Sequence, residues 1–227
     1  MEQKAIFDDL ANEYDSWFLT PVGRKIFDLE LSLLLDSIKP SGGVKMLEVG
    51  IGTGLFATEF RKRGADVEGI DPSGEMRAIA EKRGFKVHYG VGEAIPYPDN
   101  TFDVVLAMTS MEFSKTPDLF VREMVRVVKP SGTVVVSVLN LWSFYGISRR
   151  IRGFFRKSFF NDAHFYTYIE LKHLLSAYLL GVTVRSSVFI NPSPPEFILK
   201  KADEIECFGR LHLVPFGALL VGAGKKS

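Results

Sequence analysis

The stretch Val44-Lys45-Met46-Leu47-Glu48-Val49-Gly50-Ile51-Gly52-Thr53-Gly54 decides the fold, because an apolar strand runs straight into a glycine turn with a predicted helix behind it. The glycines permit a sharp turn and let a ligand approach where a Cβ would collide. The usual dinucleotide fingerprint places its third glycine one position later; here that position holds Leu55, and Glu48 precedes the first glycine. Both details favour a ligand without a pyrophosphate.

Downstream of this turn, strand signals near 66–70, 86–89, 103–108 and 133–139 alternate with helix signals near 54–63, 73–83 and 117–128. Such alternation predicts an α/β fold, a parallel sheet with helices on both faces. Upstream, Phe7, Leu10, Ala11, Tyr14, Trp17 and Phe18 recur at helical spacing, and a second helix is predicted over about 24–38, ahead of the break at Pro40-Ser41-Gly42-Gly43. After Leu139 come an aromatic and basic stretch, a helix at 168–178, and strand candidates at 182–190 and 212–223. The expected organisation is one domain over 1–227, with 1–40 as an N-terminal helical cap and 140–180 as an insertion covering the substrate.

The 227 residues suffice for one full core. Charged residues make up 24% of the chain and nearly cancel to +1, which argues against a nucleic-acid partner held by overall charge. Cys207 is the only cysteine, and no His/Cys spacing suits a metal, so no metal is expected and a reducing cytoplasm fits best. Residues 1–15 lack the basic start and apolar run of a secretion signal, and the apolar runs at 134–139 and 214–223 are too short or too broken to span a bilayer.

Asp71 ends the next predicted strand, in Val67-Glu68-Gly69-Ile70-Asp71-Pro72-Ser73, about twenty residues beyond the first glycine, where a ribose-binding acid is expected. Its competing role is to cap the helix that begins near Pro72. The glycines at 50, 52 and 54 favour the ligand role.

With these residues in view, the chain resembles the class I S-adenosylmethionine-dependent methyltransferases, in particular the large group with a type 11 methyltransferase domain. The resemblance rests on Leu47 to Gly54, on Gly69-Ile70-Asp71-Pro72-Ser73 with Met76, on Gly92-Glu93-Ala94-Ile95-Pro96-Tyr97-Pro98-Asp99 followed by Phe102-Asp103, and on Glu123 to Gly132. The opening Phe7 to Asp15 is also similar to members of the group. The resemblance implies a Rossmann-like, doubly wound, seven-stranded sheet, mostly parallel with the last strand antiparallel, and S-adenosylmethionine across the carboxyl ends of the first strands. It further implies that Glu48, Gly50, Gly52 and Gly54 hold the methionyl part, that Asp71 holds the ribose, and that Pro72, Ser73 and Met76 edge the adenine, with Gly92 and Glu93 on its other side. Where many members carry an acid for the adenine amino group, this chain has Val91. Tyr14 is a candidate lid residue, alternatively a half-buried helix tyrosine, and Met108 is placed below the methionyl chain, alternatively in the core.

Methyl transfer needs the acceptor in line with the sulfur–methyl bond and water kept out, so positioning supplies much of the effect. No catalytic base is identified by spacing; Glu112, His164 and Tyr166 are the candidates. Glu112 has the alternative of a solvated loop acid, and His164 that of a surface residue. In 141–160, Trp142, Phe144, Tyr145, Phe154, Phe155, Phe159 and Phe160 interleave with Arg149, Arg150, Arg152, Arg156 and Lys157. This stretch reads as a substrate lid suited to a small-molecule acceptor of aromatic or acidic character. A basic amphipathic helix on an anionic membrane surface and a plain core helix are its alternatives. Two other functions compete: a nicotinamide-dependent oxidoreductase, disfavoured by Leu55 and the segment 91–99, and a non-catalytic sensor or partner subunit that retains the cofactor pocket.

Overall fold

The computed structural model describes residues 7–8, 11–144, 146–147 and 163–227. The chain begins with α1 (Ala11–Phe18) and α2 (Pro21–Ile38). The boundary between them has a local cause. The Thr20 side chain accepts from the backbone N–H of Gly23, and Pro21 takes the first helical position, where its missing N–H costs nothing. Gly23 is required for contact: a Cβ there would lie 2.0 Å from the Trp17 carbonyl oxygen. α2 ends at Lys39, which is left-handed with φ 48° and donates to the Leu35 carbonyl.

Then follow β1 (Lys45–Val49), α3 (Leu55–Lys62), β2 (Asp66–Asp71), α4 (Gly74–Lys82), β3 (Lys86–Tyr89), β4 (Phe102–Met108), α5 (Pro117–Val127) and β5 (Val128–Leu139). After the segment outside the described residues come α6 (Tyr168–Ser176), β6 (Leu180–Ser187), α7 (Glu196–Lys200), α8 (Ala202–His212) and β7 (Leu219–Lys225). The strands form one seven-stranded sheet in the order β3-β2-β1-β4-β5-β7-β6. β7 runs antiparallel to β5 and β6, and the other neighbours are parallel, so the expected Rossmann-like sheet with an antiparallel last strand is the one observed.

Each face of the sheet is covered. Leu33 and Leu34 of α2 with Phe56 and Phe60 of α3 pack on one side; Phe120 and Met124 of α5 with Leu171 and Leu175 of α6 pack on the other. Each such buried side chain contributes roughly 1.5–3 kcal/mol of apolar transfer. α2 is therefore a full member of one helical layer, whereas α1 lies against α2 and α4.

The closing part differs from the expectation in three places. β6 ends at Ser187 rather than 190, because Val188 takes φ 65° and turns the chain out of the sheet. Residues 212–218 are not strand: Pro215 sits in a 3-10 turn at Val214–Phe216, and β7 begins only at Leu219. α8 was not anticipated, since its buried positions are Ala202, Glu206 and Gly209, which leaves no apolar stripe to read. At the other end of β5, pairing begins at Val128 and shifts register between Phe102 and Val104, so this strand starts earlier than position 133.

Candidate active-site crevice

The glycine turn links β1 to α3 at the carboxyl edge of the sheet, where an open α/β sheet presents its ligand crevice. Gly50 has φ 77°, and a Cβ there would lie 2.5 Å from Cβ of Ser110, whose hydroxyl donates to the Val49 carbonyl at 2.7 Å. Gly52 has φ 56°, and its nearest neighbour would be Sδ of Met76 at 4.0 Å, so this backbone faces open space. The first glycine is needed by the protein's own packing; the second leaves a cradle.

Two acids stand beside that cradle. Asp71 accepts from the backbone N–H of Gly52 at 2.9 Å with one carboxylate oxygen and from that of Ser73 at 2.8 Å with the other. The cap of α4 is Ser73, whose hydroxyl accepts from Met76, so Asp71 is not the helix cap. Each carboxylate oxygen keeps capacity for a further donor. Burial raises the Asp71 pKa against the pull of those two N–H groups. Glu48 is 2% exposed, and its Oε2 is buried without a hydrogen-bond partner. Burial, then the neighbouring charge of Asp71, pushes its carboxyl up to about 8. An orphaned buried carboxyl oxygen is costly unless something brings a donor to it.

The N-terminal residues close over this half. Asp15 accepts from the Thr53 hydroxyl at 2.8 Å and pairs with Arg83, whose guanidinium also donates to the Thr53 carbonyl at 2.8 Å. This three-residue clamp fastens α1 to the glycine turn and to the end of α4. Farther out, the Ser73 hydroxyl donates to Asp8, and Phe7 meets Phe113 edge-on with centroids 5.0 Å apart. Tyr14, half-buried on α1, has its hydroxyl pKa raised by burial and then by the charges of Glu30, Asp15, Glu48 and Asp71. Its phenol therefore stands among the crevice acids.

Met76 is buried and Pro72 exposed. Gly92 has a packing reason of its own, since a Cβ would fall 2.0 Å from the Phe120 ring. Glu93 is half-buried and accepts from the Ser114 hydroxyl. Val91 pairs with Ala94 in a tight turn. Met108 is 7% exposed, and its sulfur accepts from the Ser137 hydroxyl at 3.1 Å.

The three base candidates come together. His164 N–H donates to the Glu112 carbonyl at 2.8 Å, and the His164 and Tyr166 rings meet at 4.6 Å. Glu112 is no solvated loop acid: it is 1% exposed, accepts from Leu139 N–H with Oε1, and leaves Oε2 without a partner. Burial pushes its carboxyl up to about 8. His164 is exposed and 3.8 Å from Glu170, whereas Tyr166 belongs to the core on the α5 and α6 side.

The other half of the carboxyl edge, beyond β5, β7 and β6, is apolar. A groove of about 650 Å³ is lined by Trp142, Phe189, Ile205, Phe208, Leu213 and Phe216, among others. The chain is anchored there by Asn140, whose amide donates to the carbonyls of Pro215 and Gly217 at 2.8 and 2.7 Å and whose oxygen caps Trp142. Of the predicted lid, Leu141 to Phe144, Gly146 and Ile147 are described; Tyr145, Phe154, Phe155, Phe159, Phe160 and the cations Arg149, Arg150, Arg152, Arg156 and Lys157 lie outside the described residues. Among the described residues no helix is long and apolar enough to cross a membrane, and no group of three potential metal ligands occurs.

Sequence reading missed the clamp and one further acid. Asp15, Thr53 and Arg83 come from three separate segments, and no spacing connects them. Glu30 did leave a signal. On α2 it is flanked at three and four residues by Ile26, Phe27, Leu33 and Leu34, each at most 5% exposed, so it occupies the middle of the buried face. Burial, then the charge of Glu206, pushes its carboxyl up to about 8.

A family model described as a methyltransferase domain matches residues 47–136. An uncharacterized protein of Methanocaldococcus jannaschii is 33% identical over 201 residues, covering 88% of this chain and 89% of the relative. A ubiquinone biosynthesis O-methyltransferase of Rhodopseudomonas palustris is 32% identical over 161 residues, 66% of this chain and 63% of that protein. Among solved structures, a methyltransferase of Thermotoga maritima, described as dependent on S-adenosylmethionine and as a possible histamine N-methyltransferase, is 30% identical; the match covers 98% of this chain and 99% of the other, with a TM-score of 0.79.

Proposed function

The chain belongs to the class I S-adenosylmethionine-dependent methyltransferases, with S-adenosylmethionine as its cofactor, and from that premise we propose that it methylates a small molecule by in-line displacement. The observation that carries this reading is the buried, unpartnered Oε2 of Glu48 beside the open backbone of Gly52. A carboxyl so placed lacks a cationic donor, and the ammonium of a methionyl group is one.

The residues present fit the cofactor. Glu48, Gly50, Gly52 and Gly54 would hold the methionyl part; Asp71, already aligned by two backbone N–H groups, would take the ribose hydroxyls. Pro72, Ser73 and Met76 would edge the adenine, with Gly92 and Glu93 opposite. When bound, S-adenosylmethionine supplies a methyl group activated by its sulfonium charge. The chain supplies position and dryness. α1 is fastened by Asp15 to the glycine turn and to Arg83; from it the Tyr14 ring would cover the crevice and exclude water, and Met108 would floor it. Holding the reactants in a near-attack geometry can be worth ~7–11 kcal/mol of barrier in favourable cases. For an acceptor that must lose a proton, Glu112 is the candidate base that the chain buries with a free oxygen; His164 and Tyr166 flank it.

The acceptors named for the relatives differ from one another, one an amine and the other reached through an oxygen, so neither is carried across. Calorimetric titration tests the cofactor: S-adenosylhomocysteine should bind and NAD should give no heat. Transfer of label from the methyl donor to a panel of small acceptors then tests the enzyme. Binding without any transfer across that panel would instead favour the sensor or partner-subunit role.

A further inference from the structure

Val188, just beyond β6, carries φ 65°, a conformation that a β-branched residue adopts only when its surroundings force it. The force comes from α8. Glu206, 4% exposed, accepts from the backbone N–H groups of Val188 and Phe189 at 3.0 and 3.3 Å and from the Ser187 hydroxyl. Arg210 holds that carboxylate through Nε at 2.7 Å and reaches on to the Leu29 carbonyl of α2 at 2.9 Å. From the other side, Ala218 N–H donates to the Val188 carbonyl at 2.9 Å. A strained residue persists only where its surroundings over-determine it, and such residues gather at ligand sites. What this corner aims is Phe189. The Phe189 ring lies against Gly209, where a Cβ would fall 2.4 Å from it. Glycine weakens a helix interior relative to alanine, so its presence within α8 follows from the ring it seats.

Phe189 is one wall of the groove of about 650 Å³, and Trp142, Phe144, Phe208 and Phe216 supply the other rings. The groove stands beyond the ends of β5 and β6, on the carboxyl edge that also carries the cofactor crevice. Glu204 of α8 is the only charged residue among those that line it, and the Glu204 carboxylate has no hydrogen bond or ion pair among the described residues. Ring faces attract a cation, and a carboxylate pairs with one. Five rings, one carboxylate and no lining cation therefore suit a ligand that is both aromatic and positively charged, whereas an anionic ligand would meet like charge.

We propose, resting on the methyltransferase reading above, that this groove is the binding site of the acceptor, an arylalkyl amine whose ring packs against Phe189 and whose ammonium faces Glu204. The volume admits a bicyclic frame. Phe189 sets the fit of the ring, and Glu204 sets the preferred charge. Glu204 also stands in the first turn of α8, where a carboxylate suits the helix itself, so its part in recognition is read from ligand charge rather than from stability.

The test uses the full chain saturated with S-adenosylhomocysteine, itself titrated first. Calorimetry then compares 2-(1-naphthyl)ethylamine, 2-(1-naphthyl)ethanol and 1-naphthylacetate, which share a ring system and differ in charge. The amine should bind about tenfold more tightly than the acetate, with the alcohol between them. Glu204→Gln should weaken the amine by about threefold to fivefold, as expected for an exposed ion pair, and leave the alcohol and S-adenosylhomocysteine unchanged. Gly209→Ala, which pushes the Phe189 ring from its seat, should weaken all three compounds alike by at least about fivefold and keep their order. Phe189→Leu should do the same without entering α8. Tightest binding of the acetate, equal affinity across the series, no binding of any compound, or an unchanged amine affinity in Glu204→Gln overturns the proposal while the cofactor reading stands. So does a dimer in sedimentation, or capture on phosphatidylglycerol vesicles, that Phe208→Asp abolishes, since a second copy or a lipid surface would then cover the groove. Failure of S-adenosylhomocysteine to bind removes both readings.

Discussion

The two halves of the carboxyl edge are built on different logic. Over β1 and β2 the wall is backbone: a glycine turn, two N–H groups aligned on Asp71, and a clamp in which Asp15, Thr53 and Arg83 satisfy one another. Over β5, β7 and β6 the wall is side chain, with rings and aliphatics from four segments and few polar contacts. A backbone wall tolerates little change because φ and hydrogen-bond direction are fixed. A side-chain wall can be re-lined one residue at a time. On the proposed reading the first wall would bind a constant cofactor and the second a variable acceptor, a division that would let one scaffold serve many substrates.

That contrast can be broken from the backbone side first. Gly50→Val forces a β-branched residue into φ 77° and against Ser110. It should abolish S-adenosylhomocysteine binding and lower Tm by about 5–10 °C, checked by calorimetry and thermal melting. Asp71→Ala should weaken the same ligand by ~1–3 kcal/mol, and a smaller loss would leave the carboxylate as no more than a brace for Gly52 and Ser73.

Glu48 sharpens the comparison through pH. Its folded carboxyl sits at about 8 against an ordinary 4.5. Between those values the unfolded chain gives up a proton that the folded chain keeps, so stability falls as pH rises through that window. Glu30 and Glu112 act in the same direction. Glu48→Gln should therefore lessen the drop in Tm between pH 5 and pH 8 by at least about 2–4 °C, which is what about 1 kcal/mol is worth in a chain of this size. An identical slope in both proteins would mean that Glu48 is not held protonated.

The smallest effect belongs to the groove. Phe208 is 57% exposed, so Phe208→Ala should change stability by no more than about 0.5 kcal/mol and leave cofactor affinity unaltered. A loss of cofactor binding would show that the halves are not separable.

The same contrast explains what was legible in the sequence. β1, the glycine turn and Asp71 are contiguous or regularly spaced, since turn geometry dictates residue type at fixed offsets, and these elements lie where the sequence put them. Strand and helix alternation up to β5 follows from the same local rules. The rest depends on contacts between distant segments. Nothing in Asp15 announces Arg83. α8 hides its buried face because the carboxylate of Glu206 occupies a position where an apolar residue would be read, and a proline and a glycine turned an apolar run into a 3-10 turn ahead of β7. Glu30 was readable as an acid within an apolar stripe of α2.

The chain holds two tryptophans, and the fold gives one to each wall. Trp17 rides on the clamped helix, stacked edge-on against Phe18, while Trp142 lines the groove. Both indoles are more than a third exposed, at 39% and 38%, so their emission should respond to whatever settles beside them. Replacing either by phenylalanine leaves a single intrinsic fluorophore, and the two single-tryptophan proteins would time the arrival of cofactor and acceptor as separate signals from one unlabelled chain.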